Sequence, residues 1–412
     1  MRGKRSSLAL INPFVLALAL FLSLLPGAWA KAKFKVLANV PGGLWTGLTL
    51  DAKGNLYGVT SGGGDYGEGS VFEVARGAHG KWTVTTLHSF DGKDGASPNG
   101  NLIFDTAGNL YGTSPAGGAY YRGLVFQLSP GPDGWTFTDI YDFCSQENCP
   151  EGYGPLDGLI LDKAGNLYGN ANGGPDCCGV AYELTPGSGG WTYSVLYDFG
   201  SKPNDSTAST APMIFGKEGD LYGTGNRGGL YGGGTVFRLR KHSGAWRETL
   251  LHCFCEDGFP CQDGFEPQGG VAFGLDGAFY GTTTGGGSPS CPPYNSNCGT
   301  IFSLELTTDG RWKHRVLYDF AKPEDGFAPG AGVTPDKRGN LYGTTALGGT
   351  GGCNYGCGVV FELSPRAGCK WAYTVLHKFS DGDGSLPDGG VVRDKLGNLY
   401  GVAYSTVFEI TP

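Results

Sequence analysis

Histidines and loop aspartates are the residues of this chain whose types could do acid–base chemistry. Of six histidines, His88, His252 and His377 share one place in a repeated segment with Tyr141, Tyr197 and Tyr318. Strand packing accounts for a place that imidazole and phenol both fill. His79, His242 and His314 fall in or beside connections on the other side of the repeat. Asp94, Asp263, Asp325 and Asp383 recur in Asp-Gly pairs. Two facing carboxylates suffice to cleave a glycosidic bond, so Asp263 and Asp325 are the candidate acids of a polysaccharide hydrolase or lyase. Nucleophile elbow, phosphate loop and zinc motif are all missing from the sequence, as is a repeated quinone-binding motif. No catalytic residue, cofactor or metal is therefore assigned.

Aromatic residues in variable connections offer a different chemistry. Tyr66, Tyr120, Tyr121, Tyr231, Tyr294 and Tyr355 lie in glycine-rich segments, and Trp45, Tyr153, Phe259, Phe265 and Phe327 in the longer connections that carry the Asp-Gly pairs. Aromatic faces beside short polar groups suit neutral sugars, whose C–H faces stack while their hydroxyls find acceptors. Trp45, Tyr66, Tyr120, Tyr121, Tyr231, Phe265, Tyr294, Phe327 and Tyr355 are the candidate ligand-binding residues. The plainer alternative has each tyrosine lying over its own glycine loop and merely ordering it.

The elements that must position these side chains come from a repeat. Gly-Asn-Leu-Tyr-Gly occurs at 54–58, 108–112, 165–169, 339–343 and 397–401, with variants at 219–223 and 277–281. Internal periods of this kind mark propellers and other arrays. The 76 glycines and the 17% of charged residues suit many tight turns in an all-β protein. Each unit reads as four short strands. The first is apolar. A turn opened by Asp51, Asp105, Asp162, Asp336 or Asp394 then leads to a second strand carrying an invariant Tyr-Gly. The turn aspartate can accept backbone N–H groups while the glycine takes φ > 0. Calcium would need six to eight oxygens, far more than one carboxylate per turn. The third strand offers Phe72, Phe126, Tyr182, Phe237, Phe302, Phe361 or Phe408, aromatics that fit close approach to the strand glycine. The fourth starts with Trp82, Trp135, Trp191, Trp246, Trp312 or Trp371.

The seventh unit ends after its third strand, and residues 34–40 align with 373–379 of the sixth fourth strand, placing Ala32 at the tryptophan position. The expected fold is a seven-bladed β-propeller spanning 31–412, its last blade completed by the N-terminal strand, which removes two open sheet edges.

Residues 1–30 read as a secretory signal peptide: Arg2, Lys4 and Arg5, an apolar run over 14–25, and Ala28-Trp29-Ala30 as the cleavage signal. Its removal takes the formal charge from −8 to −11, which opposes affinity for nucleic acid or anionic membranes. No integral membrane segment is expected in the mature chain. Export agrees with 12 cysteines. The expected disulfides are Cys144–Cys149, Cys255–Cys261, Cys291–Cys298 and Cys353–Cys357, while Cys177, Cys178, Cys253 and Cys369 have no obvious partner.

The composite of Asp-x-x-Gly-Asn-Leu-Tyr-Gly-Thr, a Gly-Gly run, Val-Phe-Glu-Leu, and Trp followed at five residues by Leu and then by Phe resembles the GloVer-type (Gloeo/Verruco) tandem repeat of exported bacterial proteins. The resemblance covers residues 31–412 and implies a β-propeller without an established activity, so it carries over no catalytic residue. Family members use various surface anchors; none is recognisable at this C-terminus, which points to a free exported form. The Asp-x-x-Gly-Asn-Leu-Tyr hairpin alone is also similar to NHL-type repeats and to the Asp-box hairpins of some glycosidases. The expected function is non-catalytic binding of a carbohydrate polymer or a cell-surface protein through the loop face, secreted or periplasmic. The polysaccharide-cleaving enzyme and the protein-interaction scaffold are its rivals.

Overall fold

The computed structural model describes residues 32–412 apart from 45, 156, 177, 209, 288–297 and 350. Seven antiparallel sheets stand around an axis: six are four-stranded and run outward in chain order, and the seventh is assembled from both ends of the chain. Blade 1 is Thr49–Leu50, Leu56–Thr60, Ser70–Arg76 and Trp82–Ser89. Blades 2 to 6 repeat that meander between Asn99–Phe104 and Lys370–Lys378. The only helical turns among the described residues are the 3-10 turns Ala78–Gly80 and Pro323–Asp325.

The turn between first and second strands is built by its aspartate. In blade 1, Asp51 Oδ1 accepts the N–H groups of Lys53 and Asn55, both at 2.8 Å, and Oδ2 accepts Asn55 Nδ2 at 3.0 Å. Gly54 takes φ 87°, which suits a residue without Cβ. Both oxygens are thus engaged by the turn itself, and the same arrangement recurs at Asp105, Asp162, Asp336 and Asp394. The strand tyrosine extends the network, Tyr57 donating to Glu73 at 2.6 Å. A Cβ on Gly58 would lie 2.7 Å from Cζ of Phe72, so the glycine is the recess that admits the third-strand ring. Those rings, Phe72 to Phe408, are almost completely buried and form the core between blades.

Blade 7 joins both ends of the chain. Val391–Arg393 pairs with the start of Leu399–Thr411, whose later residues pair with Lys33–Leu44. The chain reverses within Leu399–Thr411 near Tyr404, φ 53°, and Gly401 meets the Phe408 ring as Gly58 meets Phe72. The N-terminal strand therefore supplies the outer strand, as the register of 34–40 on 373–379 predicts. Disulfides Cys144–Cys149, Cys255–Cys261 and Cys353–Cys357 staple loops with Cα separations of 4.4, 4.3 and 5.2 Å. Cys291 of the fourth expected pair, Cys177, and the leader 1–30 lie outside the described residues.

Candidate functional site

One face of the ring gathers the loops joining second to third strands and those running from each fourth strand to the next blade. Bridges tie the two sets together, pairing Ala96 with Ala116, Tyr153 with Asn172, Phe265 with Gly285 and Phe327 with Leu347. The loop aspartates belong to this framework. His88 Nε2 lies 2.8 Å from Asp94, His252 Nε2 3.1 Å from Asp263, and His377 Nε2 3.0 Å from Asp383. At two of the three places where tyrosine replaces histidine the contact persists, Tyr318 donating to Asp325 at 2.6 Å and Tyr197 to Asp205 at 2.9 Å. Each pair clasps an outgoing loop to its own fourth strand.

These clasps bear on the two candidate acids. Burial works against ionisation of Asp263, but the hydrogen bonds from His252 and the Cys255 N–H outweigh it and hold the carboxyl below the usual range. Asp325 accepts Tyr318 through its side chain, while its carbonyl accepts Tyr373 from the next blade. Asp263 thus sits as an anion, the wrong state for a general acid.

The candidate aromatics divide. Tyr66, Tyr120, Tyr121, Tyr231 and Tyr355 are 67, 49, 74, 46 and 53% exposed, and Phe259, in the same loop system, 74%. Phe327, by contrast, is 4% exposed and packs in the core between blades 5 and 6. Phe265 is half-buried, its ring within 2.6 Å of where a Cβ on Gly285 would stand. Both are loop anchors here rather than open faces. Trp45 and Tyr294 lie outside the described residues. Tyr153 covers Gly173, and the Arg122 guanidinium lies 5.3 Å from its ring centre.

Sequence reasoning missed the axis. A cavity of about 430 Å³ is lined by residues entering the first strands, among them Thr46, Asn99, Asp157, Gln268 and Asp388. Burial raises the Asp157 carboxyl well above its ordinary range, against a 2.7 Å hydrogen bond from Asn170. Burial also raises Asp388. The available signal was an acidic residue just before the glycine that opens an inner strand, at Asp157-Gly158 and Asp388-Gly389. A third missed acid is Glu248 in the fourth strand of blade 4, Ala245–Cys253, pushed up to about 8 by burial and by the neighbouring Asp205 carboxyl.

Metal-ligand chemistry finds little support. Among the described residues, Cys353, Cys357 and Asp381 are the group whose potential ligand atoms converge. The two sulfurs are joined in a disulfide, which leaves one exposed carboxylate.

No curated protein sequence matches the chain. Two of the solved structures that match illustrate the shared fold. An ancestral GH74 enzyme superposes with a TM-score of 0.61 at 11% identity, over 90% of this chain and 48% of its own. The extracellular domain of a putative one-component system from B. thetaiotaomicron does so with a TM-score of 0.53 at 12% identity, over 93% and 42%. The chain thus spans less than half the length of either. The family model of the Gloeobacter/Verrucomicrobia repeat matches residues 45–288 and 255–412. With the Asp-turn, Tyr-Gly and tryptophan positions repeated from blade to blade, the chain belongs to the Gloeobacter/Verrucomicrobia repeat family.

Proposed function

We propose that this propeller is an exported, non-catalytic module that binds a carbohydrate polymer through its loop face. The observation that carries the reading is the set of solvent-facing tyrosines on that face, Tyr66, Tyr120, Tyr121, Tyr231 and Tyr355. A sugar ring can stack on such faces while loop carbonyls and hydroxyls take its hydroxyl groups. Rigid blades hold the loops, so little ordering cost opposes binding. Three disulfides fit an exported protein. The apolar run before Ala30 is read as a cleaved leader, and among the described residues no helix is long and apolar enough to cross a membrane.

The test is affinity electrophoresis of the purified chain in gels holding soluble polysaccharides, compared with Tyr66→Ala, Tyr121→Ala, Tyr231→Ala and Tyr355→Ala variants. Retardation that falls with these changes supports the site, and full binding by all four variants removes it. The scaffold reading gains if glycans give no retardation while a surface protein is captured. An enzyme would release reducing ends in the same samples, and the axial acids Asp157 and Asp388 would be the first to substitute.

A further inference from the structure

The face opposite the loop face carries a position where the seven-fold pattern breaks. At six blade junctions a fourth-strand tryptophan packs on the second-strand tyrosine of the preceding blade. Trp135 meets Tyr57 with ring centroids 6.2 Å apart, Trp191 meets Tyr111 at 6.0 Å, Trp371 meets Tyr280 at 6.1 Å and Trp82 meets Tyr400 at 6.5 Å, all edge to face. Trp246 with Tyr168 and Trp312 with Tyr222 complete the set within shared clusters. A residue from the neighbouring first strand closes several of these junctions, as Phe104 does on Tyr57 at 5.0 Å.

Between blades 6 and 7 both partners differ. Tyr342 faces Ala32 in place of tryptophan, and Arg393 stands at the strand position of Phe104. A cavity of about 1170 Å³ opens there. Arg393 Nε is buried in its wall without a hydrogen-bond partner. Lys337, Arg338 and Lys395 add positive charge to the lining. The acids of the same wall are already engaged: Asp336 and Asp394 hold their turns and Glu362 accepts Ser364. Leu396, 89% exposed, provides an apolar lip.

We infer that the groove between blades 6 and 7 is a docking slot for a tryptophan side chain carried in an acidic segment of a partner polypeptide. Six sister junctions show that this framework accepts an indole against the tyrosine ring. In the seventh the ring would lie between Tyr342 and the Arg393 guanidinium, gaining a cation–π contact that the other junctions lack. Flanking carboxylates would meet the basic lining at Arg338 and Lys395. The slot is on the face away from the sugar-binding tyrosines, so the inference stands apart from that reading.

Calorimetric titration of the purified full chain with acetyl-Asp-Trp-Asp-amide tests it, with acetyl-Asp-Ala-Asp-amide as control. Saturable one-to-one binding of the tryptophan peptide alone is expected. Ala32→Trp fills the slot from within and should weaken binding about tenfold or more while raising Tm. Arg393→Gln should weaken binding about as much, and Tyr121→Ala on the other face should leave it unchanged. Equal affinity in the wild type and in a folded Ala32→Trp variant overturns the proposal, as does absence of binding by the wild type. In a preparation that retains residues 1–30, binding that emerges only in Trp29→Ala overturns it in favour of the chain's own upstream segment.

Discussion

Phe34 lies flat on His377, ring centroids 3.6 Å apart and planes 4° from parallel, although nearly the whole chain separates them. The same contact joins Tyr318 to Tyr373 and Tyr141 to Tyr193 within the body of the ring. The N-terminal strand therefore docks as any other fourth strand does. Phe34 also meets Phe379 and Phe408, so Phe34→Ala should cost about 2–4 kcal/mol. Deletion of residues 31–40 should lower Tm sharply by reopening a sheet edge. Thermal unfolding checks both, and an unchanged Tm in the deletion counts against closure.

His314 fills the stacking place beside His252, 4.2 Å between centroids. Burial, with the nearby His252, pushes its pKa down to about 3. The folded value lies below the unfolded 6.5, so the unfolded state takes up the proton first as pH falls. Stability is complete above about pH 6.5 and drains away toward pH 3. Tyr193 and Tyr373 occupy the same place in other blades, so His314→Tyr should flatten this loss. Urea midpoints at pH 7 and pH 4.5 read it: the gap between variant and wild type should widen at the lower pH.

Asp263→Asn removes an anion that holds His252 and the Cys255 N–H. Its depressed folded pKa contributes stability above the unfolded carboxylate pKa, lost as pH falls through the folded one. The variant should lose stability at pH 7 and keep polysaccharide binding. Loss of a sugar-releasing activity on this change would instead support the hydrolase reading.

Gly58→Ala places a methyl 2.7 Å from Phe72 Cζ, and overpacking of this kind costs about 1–3 kcal/mol. Gly54, whose Cβ would meet nothing within 4 Å, offers a contrast: Gly54→Ala there should act only through its φ of 87°. Denaturant midpoints of the two variants separate packing from backbone strain.

The repeat made the blades legible because turn and strand chemistry recur together: Asp51 needs Gly54 and Asn55 nearby, and Gly58 needs Phe72 opposite. The short-spaced cysteine pairs were readable for the same local reason. The site was less so. Whether a loop aromatic ends exposed like Tyr121 or buried like Phe327 depends on the neighbouring loop's path, which no local spacing records. The clasp spacings vary, from six residues at His88–Asp94 to eleven at His252–Asp263, so the aspartates looked available for chemistry. Asp157 and Asp388 meet the axis only once seven blades close around it.

The most direct measurement is polysaccharide binding by the purified chain with reducing-end release followed in the same samples. Retardation that weakens in Tyr121→Ala and Tyr231→Ala, with no sugar released, is the predicted result. Release of oligosaccharide, or retardation indifferent to every exposed loop tyrosine, would contradict the account.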